Sequence, residues 1–364
     1  MTLARHVGAA IVIAAIVVAL SIQLSAYRDY QLAEVAAYLV AVAGLTVLIG
    51  LSGQISIGHG AFMAIGGYTS ALLLTHLGWP LVLILLASVV VAAAAGAIFG
   101  VAAARLRGPY LAGATLMLAV ALPTVADQYQ HFFGGDQGLP VTIIAPGFLG
   151  ATFPPTRWQA WVTCGSALIA LILLANLARS RVGRSWRAVR DDEVAASLAG
   201  LNVARLQVLA FVVSAACAGL GGGLLAVVTG IVAPGAYTLT LSIALLTAAV
   251  LGGLGTLPGA LWGSLVLVLV PTYLTNLGAS HGLSGSASSS VPIAAYGVIL
   301  IVVMLVFPAG IQGGLRRLFG SAAASVPHRD AVAPGRTAEP RRRIPFTTLR
   351  RPAQGRENQE EGPS

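Results

Sequence analysis

A short polar stretch inside an apolar chain carries side chains whose types and spacing could do chemistry. Residues 50–62 read GLSGQISIGHGAF and lie within Val35–Ala104, a region without Asp, Glu, Lys or Arg. His59 could carry a proton, and with Gln54 and Ser56 it could line a path for a polar solute. The same groups could instead bond across a tight helix crossing. The sequence leaves both interpretations open.

Glycines in this stretch predict that a helix is interrupted. Gly53 and Gly58, with Gly50 and Gly60 beside them, would break or thin a helix. At membrane depth such a break is tolerated only where the freed backbone faces protein or a watery cavity. We therefore predict a helix break that belongs either to a translocation pathway or to a packed crossing.

The second half of the chain contains a segment of similar design. Residues 250–263 read VLGGLGTLPGALWG, an apolar run that meets a glycine-rich break at Gly253 and Gly255. Interrupted segments in both halves of a membrane protein point to a binding site or pathway near the midplane. We place Gly253 and Gly255 in the same candidate site as Gly53 and His59.

A charged segment at 180–207 is the candidate docking surface. It reads SRVGRSWRAVRDDEVAASLAGLNVARLQ, with acids where the dipole of a short helix would favour them and Gly200 placed to end that helix. A solvated loop would explain the arginines, whereas a docking surface for a cytoplasmic partner explains the arginines and the acidic helix together. The residues proposed for docking are Arg190, Asp191, Asp192, Glu193 and Gly200.

Several classes of function are excluded or disfavoured by residue types. The chain has no lysine, so it carries neither a Walker A motif nor a Schiff-base lysine. Its histidines lack zinc-site spacing, and Cys164 and Cys217 stand in apolar runs. Leu206–Leu315 contains no Asp, Glu, Lys or Arg, which disfavours an ion-coupled carrier. We expect no catalytic residue, metal or cofactor; a passive channel for a small neutral solute stays an alternative.

Composition predicts the elements that must position these residues. Of the 364 residues 57% are hydrophobic and 9% are charged, far below the about 25% charged residues of soluble domains. Apolar runs have the length needed to cross a bilayer as helix, so the fold class is an all-α polytopic membrane protein. We predict ten spans, near 7–26, 32–50, 60–77, 81–104, 109–126, 158–178, 206–231, 238–254, 258–277 and 292–310.

Arginine placement predicts the orientation of these spans. With ten spans, Arg5, the pair Arg105 and Arg107, and the arginines of 179–190 fall on one side, which the positive-inside rule assigns to the cytoplasm. Both termini are then cytoplasmic. We divide the chain into a transmembrane domain, 1–315, which includes the segment 180–207, and a disordered basic tail, 316–364. The composition favours a solvated tail, with contact to anionic lipid as the alternative.

Five segments resemble the permease subunits of branched-chain amino acid ABC importers, and the similarity is closest to the larger permease type. The resemblance covers roughly residues 30 to 310, and its first and fourth segments are the most specific. These segments are GLSGQISIGHGAFMAIGGYTSALL (50–73), RLRGPYLAGATL (105–116), GGDQG (134–138), RAVRDDEVAASLAGLNVARLQVLAFVVSAACAGLGGGLLA (187–226) and YTLTLSIALLTAAVLGGLGTLPGALWGS (237–264).

The resemblance implies a fold, a role and partners. It implies a bundle like that of the vitamin B12 importer, integral to the bacterial inner membrane, with the cytoplasmic segment Asp191 to Gly200 docking into a cytoplasmic ATPase subunit. The implied partners are a second permease, two ATPase subunits and an extracytoplasmic solute-binding protein, with membrane lipid around them and no nucleic acid.

The sequence also departs from the pattern of this family. Many members carry an Asp where this chain has Pro109, and a Gly-Glu pair where it has the apolar pair Ala119 and Val120. Ser197 stands where relatives often have Glu. Relatives also import urea, short amides and aromatic acids, so the solute stays open between these and branched-chain amino acids.

Overall fold

The computed structural model describes residues 8, 15, 17–19, 21–105, 109–143, 153–280, 286–307 and 310–323. Two predictions fall partly on other residues. Of the predicted span 7–26, the structure describes residues 8, 15, 17–19 and 21–26, and the predicted tail beyond Ala323 lies outside the described residues. Residues 1–321 form one compact unit.

The first half of the chain contains the helices α1 to α5 and a short irregular stretch. Each long helix is an apolar run that ends at a glycine, a proline or a polar turn, as the sequence leads one to expect. The elements are α1 Ala26–Ser52, α2 His59–Leu77, α3 Leu81–Ala103, α4 Pro109–Gln128, α5 Gln130–Phe133, a 3-10 turn Gly135–Gln137 and strand β1 Leu139–Pro140.

The second half begins with a long helix and continues through the charged segment. Two short helices separate α6 from α9, and strand β2 pairs antiparallel with β1. The elements are α6 Pro155–Arg179, α7 Arg181–Asp191, α8 Glu193–Leu198, α9 Val203–Thr229, β2 Ile231–Val232, a 3-10 turn Pro234–Tyr237, α10 Leu239–Gly252, α11 Leu257–Ser280, α12 Ser286–Val306 and α13 Gly310–Ala323.

The described helices confirm the all-α membrane class. Within the described residues, eight helices are long and apolar enough to cross a membrane, and a ninth span results if the helices that meet near residue 307 count as one bent span. These correspond to nine of the ten predicted spans. The last helix, α13, continues through Arg316 to Ala323, beyond the limit of 315 that we had set for the transmembrane domain.

The centre of the bundle is built from α1 and α9. Both helices are mostly buried, and small residues let their backbones approach closely. A Cβ at Gly44 would meet the Cβ of Cys217 and the carbonyl oxygen of Ser214, whose hydroxyl donates to the Gly44 carbonyl at 3.0 Å. The interior of α1 is therefore packed tightly against the interior of α9.

Candidate functional site

The predicted break in the first half is present, and it turns the chain back along α1. The helix ends at Ser52, and Gly53 takes a left-handed conformation (φ +76°), which glycine adopts without strain. Residues 53–58 are not helical. His59, the first residue of α2, places Nε2 3.2 Å from the carbonyl oxygen of Ala41, about 16 Å back along α1 from its end.

Side chains from other helices bind the freed backbone of this break. The Ile57 N–H donates to Thr115 Oγ1 at 3.0 Å, and the Gly60 N–H donates to Ser242 Oγ at 3.1 Å. Gly58 lies so close to the backbone of Thr115 that no Cβ would fit. The break is thus packed against protein on this side, one of the two environments that the sequence left open.

Nearer to the end of α1, Gln54 connects the break to α9. Its amide Nε2 donates to Ser52 Oγ at 2.8 Å and to the carbonyl oxygen of Gln207 at 3.2 Å. Gln54 is 6% exposed, so these bonds are shielded from solvent. This amide thereby fixes the end of α1 against the start of α9.

Three polar atoms of the break have no partner among the described residues. They are Gln54 Oε1, Ser56 Oγ and His59 Nδ1, and all are buried. The Ala41 carbonyl can only accept, so His59 Nε2 carries the hydrogen and Nδ1 is left as a bare acceptor. A buried polar group without a partner is costly, and such groups need a structural or functional reason.

The break in the second half is shorter and is formed by glycine backbone. It joins α10 to α11 through Gly253 (φ +115°) and Gly255 (φ +79°). Its side-chain bond runs from Thr256 Oγ1 to the Gly253 carbonyl at 3.0 Å. Gly310, which begins α13, lies against Gly253 with no room for a Cβ between them.

The two breaks touch at one point. A Cβ at Gly50, in the last turn of α1, would overlap the backbone nitrogen and Cα of Gly255. The structure therefore brings Gly53, Gly253 and Gly255 to the same end of the bundle. Ser56, Gly58 and His59 lie deeper, so the candidate site is extended and not a single cluster.

The charged segment folds as two short helices, which differs from the single acidic helix expected from Asp191. Helix α7 follows its N-cap Ser180, whose Oγ accepts from the N–H of Val182 at 3.1 Å, and it ends at Asp191. Asp192 is extended and begins α8 as its N-cap. Its carboxylate accepts from two backbone N–H groups at 2.8 and 3.0 Å, which is why the helix restarts there.

Helix α7 is anchored and α8 is exposed. Trp186 is fully buried, and its Nε1 donates to the Leu206 carbonyl at 2.8 Å, which holds α7 against the start of α9. On α8, Val194 is 68% exposed and Leu198 is 84% exposed. Gly200 ends this short helix with φ +84°, as its position in the sequence predicted.

Arg190 joins the charged segment to the first break. Its Nη1 donates to the Gly50 carbonyl at 2.6 Å, while Nε and Nη2 both donate to Asp191 Oδ1, at 3.0 and 2.8 Å. Glu193 accepts from the Gln207 amide at 2.9 Å. Three separately predicted segments therefore meet at this end of the bundle.

Sequence reasoning missed several of these residues. The exposed pair Val194 and Leu198 could have been found from its four-residue spacing beside the acids. Thr115 and Ser242 could not, because only the folded bundle brings them to the break. Within the described residues, no group of three or more His, Cys, Asp or Glu side chains could hold a metal ion.

The helical bundle, with two interrupted segments, an anchored helix α7 and an exposed helix α8, defines a polytopic membrane protein. A family model described as the permease component of branched-chain amino acid transport systems matches residues 27–309. The chain belongs to this family, and the resemblance inferred from its motifs is confirmed.

Named relatives agree with this assignment. The high-affinity branched-chain amino acid transport system permease LivM of Salmonella typhimurium is 34% identical over 255 residues, covering 64% of this chain and 60% of LivM. LivH of Escherichia coli is 31% identical over 293 residues, covering 76% of this chain and 91% of LivH. BraD of Pseudomonas aeruginosa is 29% identical over 301 residues, with the same coverage of 76% and 91%.

The coverage of LivM and the likeness to a solved structure are both partial. The chain spans 60% of the length of LivM. A solved structure, PsaBC from Streptococcus pneumoniae in complex with Fab, aligns with 81% of this chain and 96% of that chain at 15% identity and a TM-score of 0.42.

Proposed function

We propose that this chain is a transmembrane subunit of an ATP-driven importer that carries branched-chain amino acids, or a related small polar solute, across the bacterial inner membrane. Family membership supports this function, because the relatives are named as permeases of branched-chain amino acid transport systems. The chain has no lysine and hence no Walker A motif of the usual form, so ATP hydrolysis belongs to separate subunits.

The proposed assembly has parts on both sides of the membrane. A second permease pairs with this chain, two ATPase subunits bind at the arginine-rich end, and an extracytoplasmic binding protein delivers the solute to the opposite end. The arginine distribution supports this orientation through the positive-inside rule. Anionic lipid beside the basic tail is a further proposed contact.

The exposed helix α8 is the proposed docking site for an ATPase subunit. Val194 and Leu198 present an apolar surface at the charged end of the bundle, beside Asp191 and Asp192. Exposed apolar residues rimmed by polar groups are typical of protein interaction sites. This exposure is the observation that supports the coupling assignment most directly.

The first break is the proposed lining of part of the translocation pathway. Gln54, Ser56 and His59 keep unpaired polar atoms in the bundle, and these atoms would gain partners if the bundle opened to water or solute. In the conformation seen here the break is packed. The proposal is therefore that these groups become exposed when the bundle changes state, while His59 acts by hydrogen bonding and not as a proton carrier.

A double variant tests the docking segment. Glu193→Ala combined with Gly200→Pro should abolish ATP-dependent uptake while membrane insertion is unchanged, because it removes the Gln207 contact and forbids the backbone that ends α8. The measurement is uptake by the reconstituted complete complex. Normal uptake in this variant would contradict the coupling assignment.

Single variants on α8 locate the docking contact more finely. Leu198→Asp should lower the amount of ATPase that co-purifies with the chain by about tenfold or more, as for an interface hot spot. The matched control is Ala188→Asp, which adds the same charge at an exposed position of α7. Equal loss in both variants would show an effect of charge and not of docking.

A passive channel for a small neutral solute such as urea is the rival function. The polar groups of the first break would then form a pore without any motor. The family assignment favours the importer, and flux through the chain without ATP separates the two functions directly.

A further inference from the structure

We propose that Arg190 is a positioning residue that transmits movement of the docking segment to the two helix breaks. The proposal rests on the proposed function and adds the route by which movement of α8 reaches the two breaks. Arg190 stands at the end of α7, directly before the docking helix α8, and bonds to the last turn of α1. Within the described residues of α7, Arg190 alone donates a hydrogen bond to α1.

The bond from Arg190 to Gly50 is short and charge-assisted. The Nη1 to carbonyl distance is 2.6 Å, and hydrogen bonds from a charged donor are stronger than neutral ones. The Gly50 carbonyl belongs to the last turn of α1, where carbonyl groups lack helical partners. The Gln54 N–H, which would bond to it if the helix continued, instead donates to the Leu48 carbonyl at 3.3 Å.

Asp191 fixes the orientation of the guanidinium group. Its Oδ1 accepts from both Nε and Nη2 of Arg190, which leaves Nη1 directed at Gly50. A planar guanidinium held on one edge cannot turn freely about its own axis. Asp191 thereby acts through Arg190, a role distinct from direct contact with an ATPase.

The Arg190 side chain also covers the first residue of the break. Its Cγ lies 2.9 Å from the position that a Cβ on Gly53 would occupy. Only glycine leaves this space open. The Arg190 side chain is consequently in contact with Gly53 along its aliphatic part and with the Gly50 carbonyl at its guanidinium group.

From Gly50 the contact continues through backbone alone. We name Gly50, Gly253, Gly255 and Gly310 the glycine layer. Gly50 lies against Gly255 and Gly310 lies against Gly253, and a Cβ added at Gly50 or at Gly310 would overlap the facing backbone. Close-packed backbone has little freedom to absorb a shift, because no flexible side chain lies between the segments. A displacement of α7 is therefore imposed on α1, on the α10–α11 break and on the start of α13.

Arg187 provides a matched control within the same helix. Its Nη2 donates to the Ala178 carbonyl at 2.8 Å. Arg187 therefore also binds a carbonyl near the end of a helix, but this carbonyl belongs to α6, whereas the one that Arg190 binds belongs to α1. Arg190→Gln and Arg187→Gln thus remove the same kind of side chain from the same short helix. They differ in whether the lost bond leads to the glycine layer.

The experiment measures solute uptake and ATP hydrolysis together in the complete complex reconstituted in liposomes. In Arg190→Gln, we expect the amount of solute imported per ATP hydrolysed to fall by about tenfold. This is the change in an equilibrium constant that the loss of one charge-assisted hydrogen bond can cause. Assembly and ATP hydrolysis persist. Arg187→Gln should keep the wild-type ratio, and Arg190→Lys, which keeps one donor for Gly50, should be intermediate.

Two outcomes would overturn the proposal. If Arg190 only stabilises the end of α1, Arg190→Gln will lower the thermal midpoint and reduce uptake and hydrolysis in parallel, with an unchanged ratio. Equal ratios in Arg190→Gln and Arg187→Gln would also overturn it. Failure of the proposed function looks different, because the wild-type complex would then show no ATP-dependent uptake at all.

Discussion

The two helix breaks look alike in sequence, yet they are built on different physical principles. The first, residues 53–58, is held by side chains from other helices, among them Thr115 and Ser242. The second is short and is held by backbone contacts of Gly253 and Gly255. A long departure from helix frees several N–H and C=O groups that need partners, whereas a short one frees few and can be closed by glycine.

This difference indicates that the two breaks have different roles in transport. The first break leaves Gln54, Ser56 and His59 with unpaired buried atoms, so it holds the polar groups that a pathway would need. The second break supplies a firm backbone surface on which α1 rests through Gly50. We therefore expect the first break to change its contacts during transport. We expect the second break to transmit the displacement of α1 while its own contacts stay the same.

The point where the two breaks touch should be the most sensitive to substitution. In Gly50→Ala, the added methyl would overlap the Gly255 backbone, which cannot rotate away as a side chain can. We expect a loss of about 3 kcal/mol of stability, at the upper end for overpacking. Unfolding of the purified protein in a denaturing detergent titration measures this loss.

The control for Gly50→Ala is Gly113→Ala, since a Cβ at Gly113 meets nothing within 4 Å. Gly113→Ala should leave stability unchanged or slightly raised. Similar stability in the two variants would mean that the breaks are not in firm contact, and the comparison would fail.

The deep end of the first break should depend on hydrogen bonding at residue 59. In His59→Ala, the Ala41 carbonyl loses its partner and a cavity opens, so we expect a loss of about 2 kcal/mol and most of the uptake. In His59→Gln, whose amide can replace the donor, uptake should persist. Uptake that survives in the alanine variant but not in the glutamine variant would contradict this role.

A pair of threonine variants compares the two breaks directly. Thr115→Val removes the acceptor of the Ile57 N–H and should cost about 1.5 kcal/mol, because a partly buried donor is left unpaired. Thr256→Val should cost less, because the Gly253 carbonyl that loses the Thr256 hydroxyl still accepts from the Thr256 N–H. Thr115→Ser serves as control, and an equal cost at both threonines would remove the distinction between side-chain and backbone support.

The smallest expected effect concerns two glycines with similar backbone. Gly53 and Gly255 have φ of +76° and +79°, so Gly53→Ala and Gly255→Ala should each cost about 1 kcal/mol from strain. Only Gly53→Ala also displaces Arg190, so it alone should lower the solute imported per ATP. An equal ratio in both variants would weaken the link between Arg190 and the first break.

Much of the architecture was predictable from the chain. Apolar runs predicted nine of the spans because span length is set by bilayer thickness, and glycine clusters predicted both breaks because few other residues tolerate such backbone. The position of Gly200 predicted where α8 ends. The predicted acidic helix began at Asp191, whereas Asp191 is the last residue of α7 and Asp192 is the N-cap of α8.

Contacts between distant segments could not be predicted. The approach of Gly50 to Gly255 and the bond from Arg190 to Gly50 depend on how helices far apart in sequence pack. The partners of the first break, Thr115 and Ser242, are ordinary residues of apolar helices until the fold brings them there. Periodicity and composition carry no signal for such pairs.

Uptake of labelled leucine into liposomes tests the central claim most directly. The chain is reconstituted alone, then with its second permease, the ATPase subunits and the binding protein, each with and without ATP. We predict negligible flux for the chain alone and for the complete complex without ATP, and rapid uptake only when the complete complex receives ATP. Comparable flux through the chain alone would contradict the account and identify a passive channel.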